Sequence, residues 1–287
     1  MANLKELRNR IQSVGSTMQI TSAMKMVSAA KLKKAQDAIT QMRPYAEKLT
    51  ELLSGLNASL DQSESVYGQQ RDVKRVLLIP VTSNRGLCGA FNANIIRLTR
   101  REASAYQENG VEVTLVTIGK KGNDLLRKTF TVAADHSAIF NDLTFDNVAE
   151  VAEYAMQSFA DGTYDKVQVL YNHFKNAGAQ MPLLETMLPI APVEGNDASA
   201  SSEYIFEPEK EEIVADLIPK SLKTQLFKAV LDSNASEHGA RMTAMHKATD
   251  NAKELSRLLK LDYNKARQAA ITNEILEIVG GAAALEG

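Results

Sequence analysis

Two stretches almost free of glycine and proline stand at opposite ends of this chain, and they restrict its fold more than any other feature. Over residues 1–57 proline occurs only at Pro44, and glycine only at Gly15 and Gly55. Beyond Pro219 the next glycine is Gly239, followed by Gly280 and Gly281. So few breakers predict one long helix at each end. In the first, an apolar stripe runs Leu7, Ile11, Val14, Met18, and a second runs Met24, Lys31, Ala35, Ala38, Met42, Tyr45, Leu49, Leu52, Leu56. Each has the 3–4 spacing of a coiled-coil seam. The stripes are out of phase, which predicts a register slip near residues 18–24 and a local change of supercoil. Pro44 lacks an amide donor and is expected to bend its helix, and Pro219 to kink the second helix or mark its start. In that second helix Ala240, Ala244, Ala248, Ala252, Leu255 and Leu259 form a stripe of mostly small side chains, open to close approach by a partner helix. Residues 4–57 would span about 80 Å as a helix, and residues 220–284 about 100 Å.

Between the ends the period changes. Residues 58–72 are polar and aperiodic and read as a linker. Strand-like runs follow at Val76–Pro80, Val111–Ile118, Lys166–Tyr171 and Met181–Pro189, separated by helical patterns over 90–107, 120–129 and 145–160. This alternation predicts a Rossmann-like α/β layer with a largely parallel sheet. Residues 193–203 read as a surface loop. The expected organisation is an N-terminal helix over 1–57, a globular α/β domain over 73–208 and a C-terminal helix over 209–287. Neither end helix can bury its stripe on so small a domain, so the two are expected to pair as an antiparallel coiled coil.

Composition narrows the function. The single cysteine, Cys88, excludes an internal disulfide and a two-thiol switch. The N-terminus is charged, without the apolar core of a secretory signal, and no run approaches the roughly 18–20 apolar residues of a membrane span. The net charge of −2 is unevenly spread. Nine Lys/Arg against four Asp/Glu leave residues 1–57 at +5, and ten against eight leave 220–287 at +2, so residues 58–219 carry −9. Basic ends suit an acidic partner, whether protein or nucleic acid.

Four segments carry a family resemblance: Ile11–Gln36 (IQSVGSTMQITSAMKMVSAAKLKKAQ), Thr82–Asn92 (TSNRGLCGAFN), Glu237–Asn251 (EHGARMTAMHKATDN) and Tyr263–Ala284 (YNKARQAAITNEILEIVGGAAA). In order and spacing the chain resembles the gamma subunits of F-type ATP synthases over essentially its full length. The resemblance implies a rotor shaft with no catalytic site, cofactor or metal of its own. Its coiled coil would turn inside the hexamer of alpha and beta subunits. Its globular domain would lie near the epsilon subunit and the c-ring of F0, with the delta subunit in the same complex. Rotation of the shaft would couple ion transport to ATP synthesis or hydrolysis at the beta subunits. With no transit-like extension and no two-cysteine insert like that of chloroplast members, the expected setting is the cytoplasmic face of a bacterial inner membrane, with the chain peripheral to it.

The resemblance also selects contact residues. Met24 and Lys25, beside Met26, Lys31, Lys33 and Lys34, would meet an acidic beta-subunit segment, and their sign agrees with the +5 helix. Arg267, Gln268, Thr272, Glu274 and Glu277 would act as polar catches against beta-subunit loops. The plainer reading of both groups is the solvated face of a coiled coil. A paired-carboxylate hydrolase built on Glu274 and Glu277 would need a pocket that a bare coiled coil does not offer.

Two other functions remain to be weighed against the rotor. Asn84–Gly89 follows a strand and opens a helix, the context of a phosphate-binding turn, but it lacks both G-x-x-x-x-G-K-[ST] and G-x-G-x-x-G. It reads more simply as a tight turn with Cys88 packed inside. A nucleotide-binding α/β enzyme with helical arms would rest on that turn. A coiled-coil scaffold or nucleic-acid adaptor would rest on the basic first helix, which lacks the interleaved aromatics of single-strand binders. His136, His173, His238 and His246 show no metal-ligand spacing, and His238 and His246 read as surface or seam residues of the long helix.

Overall fold

A computed structural model describes residues 4–57, 66–190 and 210–286. The expected loop at 193–203 and residues 58–65 of the expected linker lie outside them. The elements are α1 (Leu4–Asn57), β1 (Arg75–Pro80), α2 (Phe91–Glu108), β2 (Glu112–Thr117), α3 (Lys120–Leu126), β3 (Thr131–Asp135), α4 (Phe145–Ala160), β4 (Lys166–Asn176), β5 (Ala179–Leu188) and α5 (Lys210–Glu286). The chain divides into two compact units. One is Ala29–Arg241, and the other joins Met1–Ser28 to Met242–Gly287. Pro44 and Pro219 both lie inside their helices, so Pro219 does not mark a start.

The larger unit is a five-stranded sheet in the order β3-β2-β1-β4-β5. β1 pairs in parallel with β2 and β4, and β2 with β3, while β5 returns antiparallel along β4. Central β1 is apolar on both faces, as a parallel strand covered on both sides must be. Its Val76 and Leu78 pack with Ile95, Ile96 and Ala103 of α2 and with Leu126 of α3. Its Leu77 and Ile79 pack with Val148, Val151, Ala155 and Phe159 of α4, and with Leu222, Leu226 and Val230 of α5. The layer is therefore doubly wound, with α5 among its covering helices. Thr144 caps α4, its hydroxyl accepting from the Asn147 amide. The strand β3 has no counterpart among the predicted runs. TVAAD is short, sits at the sheet edge and carries little apolar signal. The helical pattern predicted over 120–129 ends at Leu126.

In the smaller unit the two chain ends pair antiparallel. Arg8 donates to the Tyr263 hydroxyl at 3.1 Å, the hydroxyls of Thr21 and Thr249 meet at 2.9 Å, and Lys25 Nζ lies 3.4 Å from His246 Nδ1. Lys25 lies seventeen positions after Arg8, and Tyr263 lies seventeen after His246, so the register is unbroken.

The predicted slip near residues 18–24 is absent. Among the buried and half-buried positions of α1, one unbroken heptad runs Leu7, Ile11, Val14, Met18, Thr21, Lys25, Ser28, Leu32, Ala35, Ile39, Met42, Ala46 and Leu49. Lys31 and Tyr45, placed on the predicted stripe, are exposed. Thr21 and Ser28 hide the continuity from an apolar count. Their hydroxyls bond carbonyls of their own helix, Thr21 to Thr17 and Met18 and Ser28 to Met24, so each enters the seam without an unmet donor. On α5 the seam runs Met245, Thr249, Ala252, Ser256, Leu259, Tyr263, Ala266 and Ala270. Leu255, predicted to lie on it, is exposed.

Candidate functional site

The predicted contact residues fall into two groups on the smaller unit. Met24 and Lys25 are half-buried beside α5. Lys25 turns toward His246, which in turn lies 3.5 Å from Asp250. The outward side next to them is apolar, with Ile20, Met26 and Val27 all exposed. Lys31, Lys33 and Lys34 belong to the larger unit, where Lys33 pairs with Asp37.

Arg267, Gln268, Thr272, Glu274 and Glu277 are exposed. The Thr272 hydroxyl donates to the Gln268 carbonyl at 2.9 Å. About 30 Å of helix separates this group from His246. From Ile271 to Ala282 every residue is exposed, because the pairing has already reached the start of α1. Ile271, Ile275, Leu276, Ile278 and Val279 all face solvent, Ile278 at 71%. Exposed apolar side chains clustered at this density mark a surface meant for a partner. The composition of ITNEILEIV carries that signal, but its apolar residues cannot be told from a buried face until the end of α1 is located. Glu274 and Glu277 sit on bare helix with no enclosing wall, so they lack the environment a carboxylate pair needs for acid–base work.

The turn after β1 is held by its own chain. The Ser83 amide donates to Asn92 Oδ1 at 2.9 Å, and its hydroxyl donates to the Arg85 carbonyl at 2.6 Å. Asn84 bridges outward, accepting from the Lys120 amide and donating to the Ser137 carbonyl. Leu87 is left-handed, with φ +63°, and exposed. Cys88 is buried against Phe91 and Ala240. Thr82 occupies the start of α3, accepting from the Gly122 amide and donating to the Gly119 carbonyl. These contacts fix the two ends of the turn, at Thr82–Asn84 and Cys88–Asn92, and leave Gly86 and Gly89 facing open space.

A buried charge cluster on α5 abuts this turn and was not singled out as a site in the sequence. Glu237 and Arg241, one helical turn apart on α5, form an ion pair at 2.6 Å with both side chains about a tenth exposed. Burial pushes the Glu237 carboxyl up, and Arg241, Lys31 and Arg85 oppose the push. Burial holds His238 down at about 4, helped by the positive charges of Arg241 and Lys31. His238 is thus half-buried in this cluster and not a free surface residue. His136 is also lowered, chiefly by burial. His173 meets buried Asp232 at 2.7 Å. No group of histidine, cysteine and carboxylate side chains among the described residues could hold a metal ion. Among those residues no helix is long and apolar enough to cross a membrane.

Residues 3–285 match the profile of the family described as ATP synthase. A protein of Flavobacterium johnsoniae named ATP synthase gamma chain is 64% identical over 288 positions, covering all of both chains. In the Tetrahymena thermophila mitochondrial ATP synthase central stalk and c-ring, a chain 26% identical superposes with a TM-score of 0.58, over 80% of this chain and 99% of that one. A chain of the Euglena gracilis mitochondrial ATP synthase, in the OSCP, F1 and c-ring assembly, shares the fold with a TM-score of 0.69 and 24% identity, over 98% and 94%. Sequence and fold agree along the full length, and the chain belongs to the gamma chains of ATP synthase.

Proposed function

We infer that this chain is the central-stalk rotor of an ATP synthase, turning ion-driven rotation into conformational change at catalytic sites held by other subunits. The observation that carries this is the full-length match to a gamma chain at 64% identity. The paired chain ends, with their unpartnered apolar tip, supply the physical means. A single asymmetric helix pair presents a different face to each neighbour, and each face favours a different conformation by differential contact. No residue of the shaft need touch nucleotide.

In this reading the chain works with alpha and beta subunits of F1, the epsilon and delta subunits and the c-ring, without binding nucleic acid. It is peripheral to the membrane, and its bacterial relatives favour the cytoplasmic face of an inner membrane. Met24 and Lys25 meet an acidic beta-subunit segment, with the exposed Ile20, Met26 and Val27 providing apolar contact alongside. Arg267, Gln268, Thr272, Glu274 and Glu277 meet beta-subunit loops nearer the tip. Reconstitution with alpha and beta subunits tests the function. Rotation-coupled ATP hydrolysis should require this chain, and undiminished coupled activity without it would refute the reading. The chain alone should give a calorimetric blank with ATP, because the turn at 83–89 lacks both phosphate-binding glycine patterns and its outward carbonyls at Arg85 and Gly86 are engaged by Arg241.

A further inference from the structure

A rotor must pass torque between its globular layer and its helices. Packed side chains transmit strain, but their attraction is non-directional, and directional bonds add a fixed register along the interface. In the larger unit, α5 lies over the sheet through Leu222, Leu226 and Val230, an apolar contact. Further along the helix the contact changes character. The Ser236 hydroxyl donates to the Asn172 carbonyl at 3.0 Å, and Gly239 brings the helix so close to the β4–β5 turn that a Cβ there would lie 3.1 Å from Ala177 Cα.

Arg241 is the last residue of this unit. Its side chain is 10% exposed and its guanidinium is nearly saturated. Nη1 donates to Glu237 at 2.6 Å, Nη2 donates to the Arg85 carbonyl at 3.1 Å and to the Gly86 carbonyl at 3.3 Å, and Nε reaches the Gly86 carbonyl at 3.4 Å. One rigid fork thus grips two successive carbonyls of the turn that leaves β1, the central strand. The turn cannot easily give way. Ser83 holds Arg85 from the other side, Cys88 and Phe91 pack under Ala240, and Leu87 is held at a positive φ that leucine seldom adopts. A buried ion pair is commonly replaceable by apolar residues at no cost in stability, so stability alone is a weak reason for this one.

We propose that Arg241 is a positioning residue that locks α5 to the end of β1, so that torque passes between the α/β layer and the helix without slip. The inference rests on the rotor reading above. Glu237 supplies only an acceptor for Nη1, and the fork on Arg85 and Gly86 carries the load. Lysine keeps the charge and can pair with Glu237, but it is a point donor and cannot grip two carbonyls in fixed geometry.

The test is single-molecule rotation of the reconstituted complex. The hexamer is immobilised and a bead is attached to the α/β layer through Ser104→Cys on α2. Small and large beads set light and heavy viscous load. Wild type, Arg241→Lys and Glu237→Gln should rotate alike under light load. Under heavy load Arg241→Lys should deliver about twofold less torque, the loss of a charge-assisted pair of bonds. Glu237→Gln keeps an acceptor for Nη1 and should match wild type. Equal torque from Arg241→Lys under heavy load overturns the proposal. So does a parallel fall in Glu237→Gln, or failure of Arg241→Lys to assemble or turn under light load, because both outcomes mark a purely structural pair. Absence of rotation in wild type would instead refute the rotor reading.

Discussion

Single positions in the α/β layer carry consequences that can be measured. Gly119 has φ +105°, and a Cβ there would lie 2.1 Å from the Thr82 carbonyl oxygen. Backbone strain and steric overlap act together, so Gly119→Ala should destabilise the layer by about 2–4 kcal/mol, read as a fall in urea midpoint. His238 sets a pH dependence. Its folded value of about 4 lies below the ordinary 6.5, so between those limits the unfolded chain binds more protons. Stability therefore falls as pH drops through that window. Glu237, raised by burial, works in the opposite direction. Replacing His238 by Gln isolates the histidine part. The variant should gain on wild type on going from pH 7 to pH 4.5, by about 1–2 kcal/mol after allowance for solvent around a half-buried ring. A constant difference between the two proteins across that range would contradict the sign. Neither site was legible as such in the sequence. A glycine before a helix and a histidine within one are ordinary until the fold brings Thr82 beside the first and Lys31 near the second.

At the scale of elements, the sequence was most readable where one period persisted. α1, α2, α4, α5 and the strands of the sheet centre were evident from spacing and from the scarcity of breakers within them. Reading failed where polar residues took apolar places. Thr21 and Ser28 lie in the seam with their hydroxyls satisfied by their own helix, so an apolar count saw two stripes where there is one. β3 failed for the reverse reason, since an edge strand with one partner needs little apolar surface. The candidate contact residues could be named from resemblance, but their unequal exposure, with Lys25 leaning on His246 and the 267–277 group bare, required the pairing to be located. Pro44 offers a test on α1. It is exposed and inside the helix, where it removes a hydrogen bond and crowds the preceding turn. Pro44→Ala should stabilise that stretch by about 1–3 kcal/mol, seen as slower amide exchange over residues 40–46.

For the molecule as a whole, the division of labour is between a layer that holds itself together and an end that does not. The sheet is covered on both faces by helices of its own unit, whereas residues 271–282 expose isoleucine, leucine and valine to water. A chain ending at Ala270 should keep its helix pairing and its urea midpoint, and should associate less with itself at high concentration. Light scattering and denaturation together check this. If the shortened chain unfolded more readily, the tip would have a structural role within the chain that its exposure argues against.

The composition of the seam has a mechanical outcome of its own. The α5 side of the seam is mostly small, with Thr249, Ala252, Ser256, Ala266 and Ala270, and it receives Leu7, Ile11, Val14 and Met18 of α1, so the two axes stay within the roughly 8–10 Å of packed helices. The rigidity of two joined rods grows steeply with the distance between their axes, so a slender pair is compliant as well as narrow. A narrow axle of this kind would wind up slightly when driven against resistance and return that energy as it unwinds.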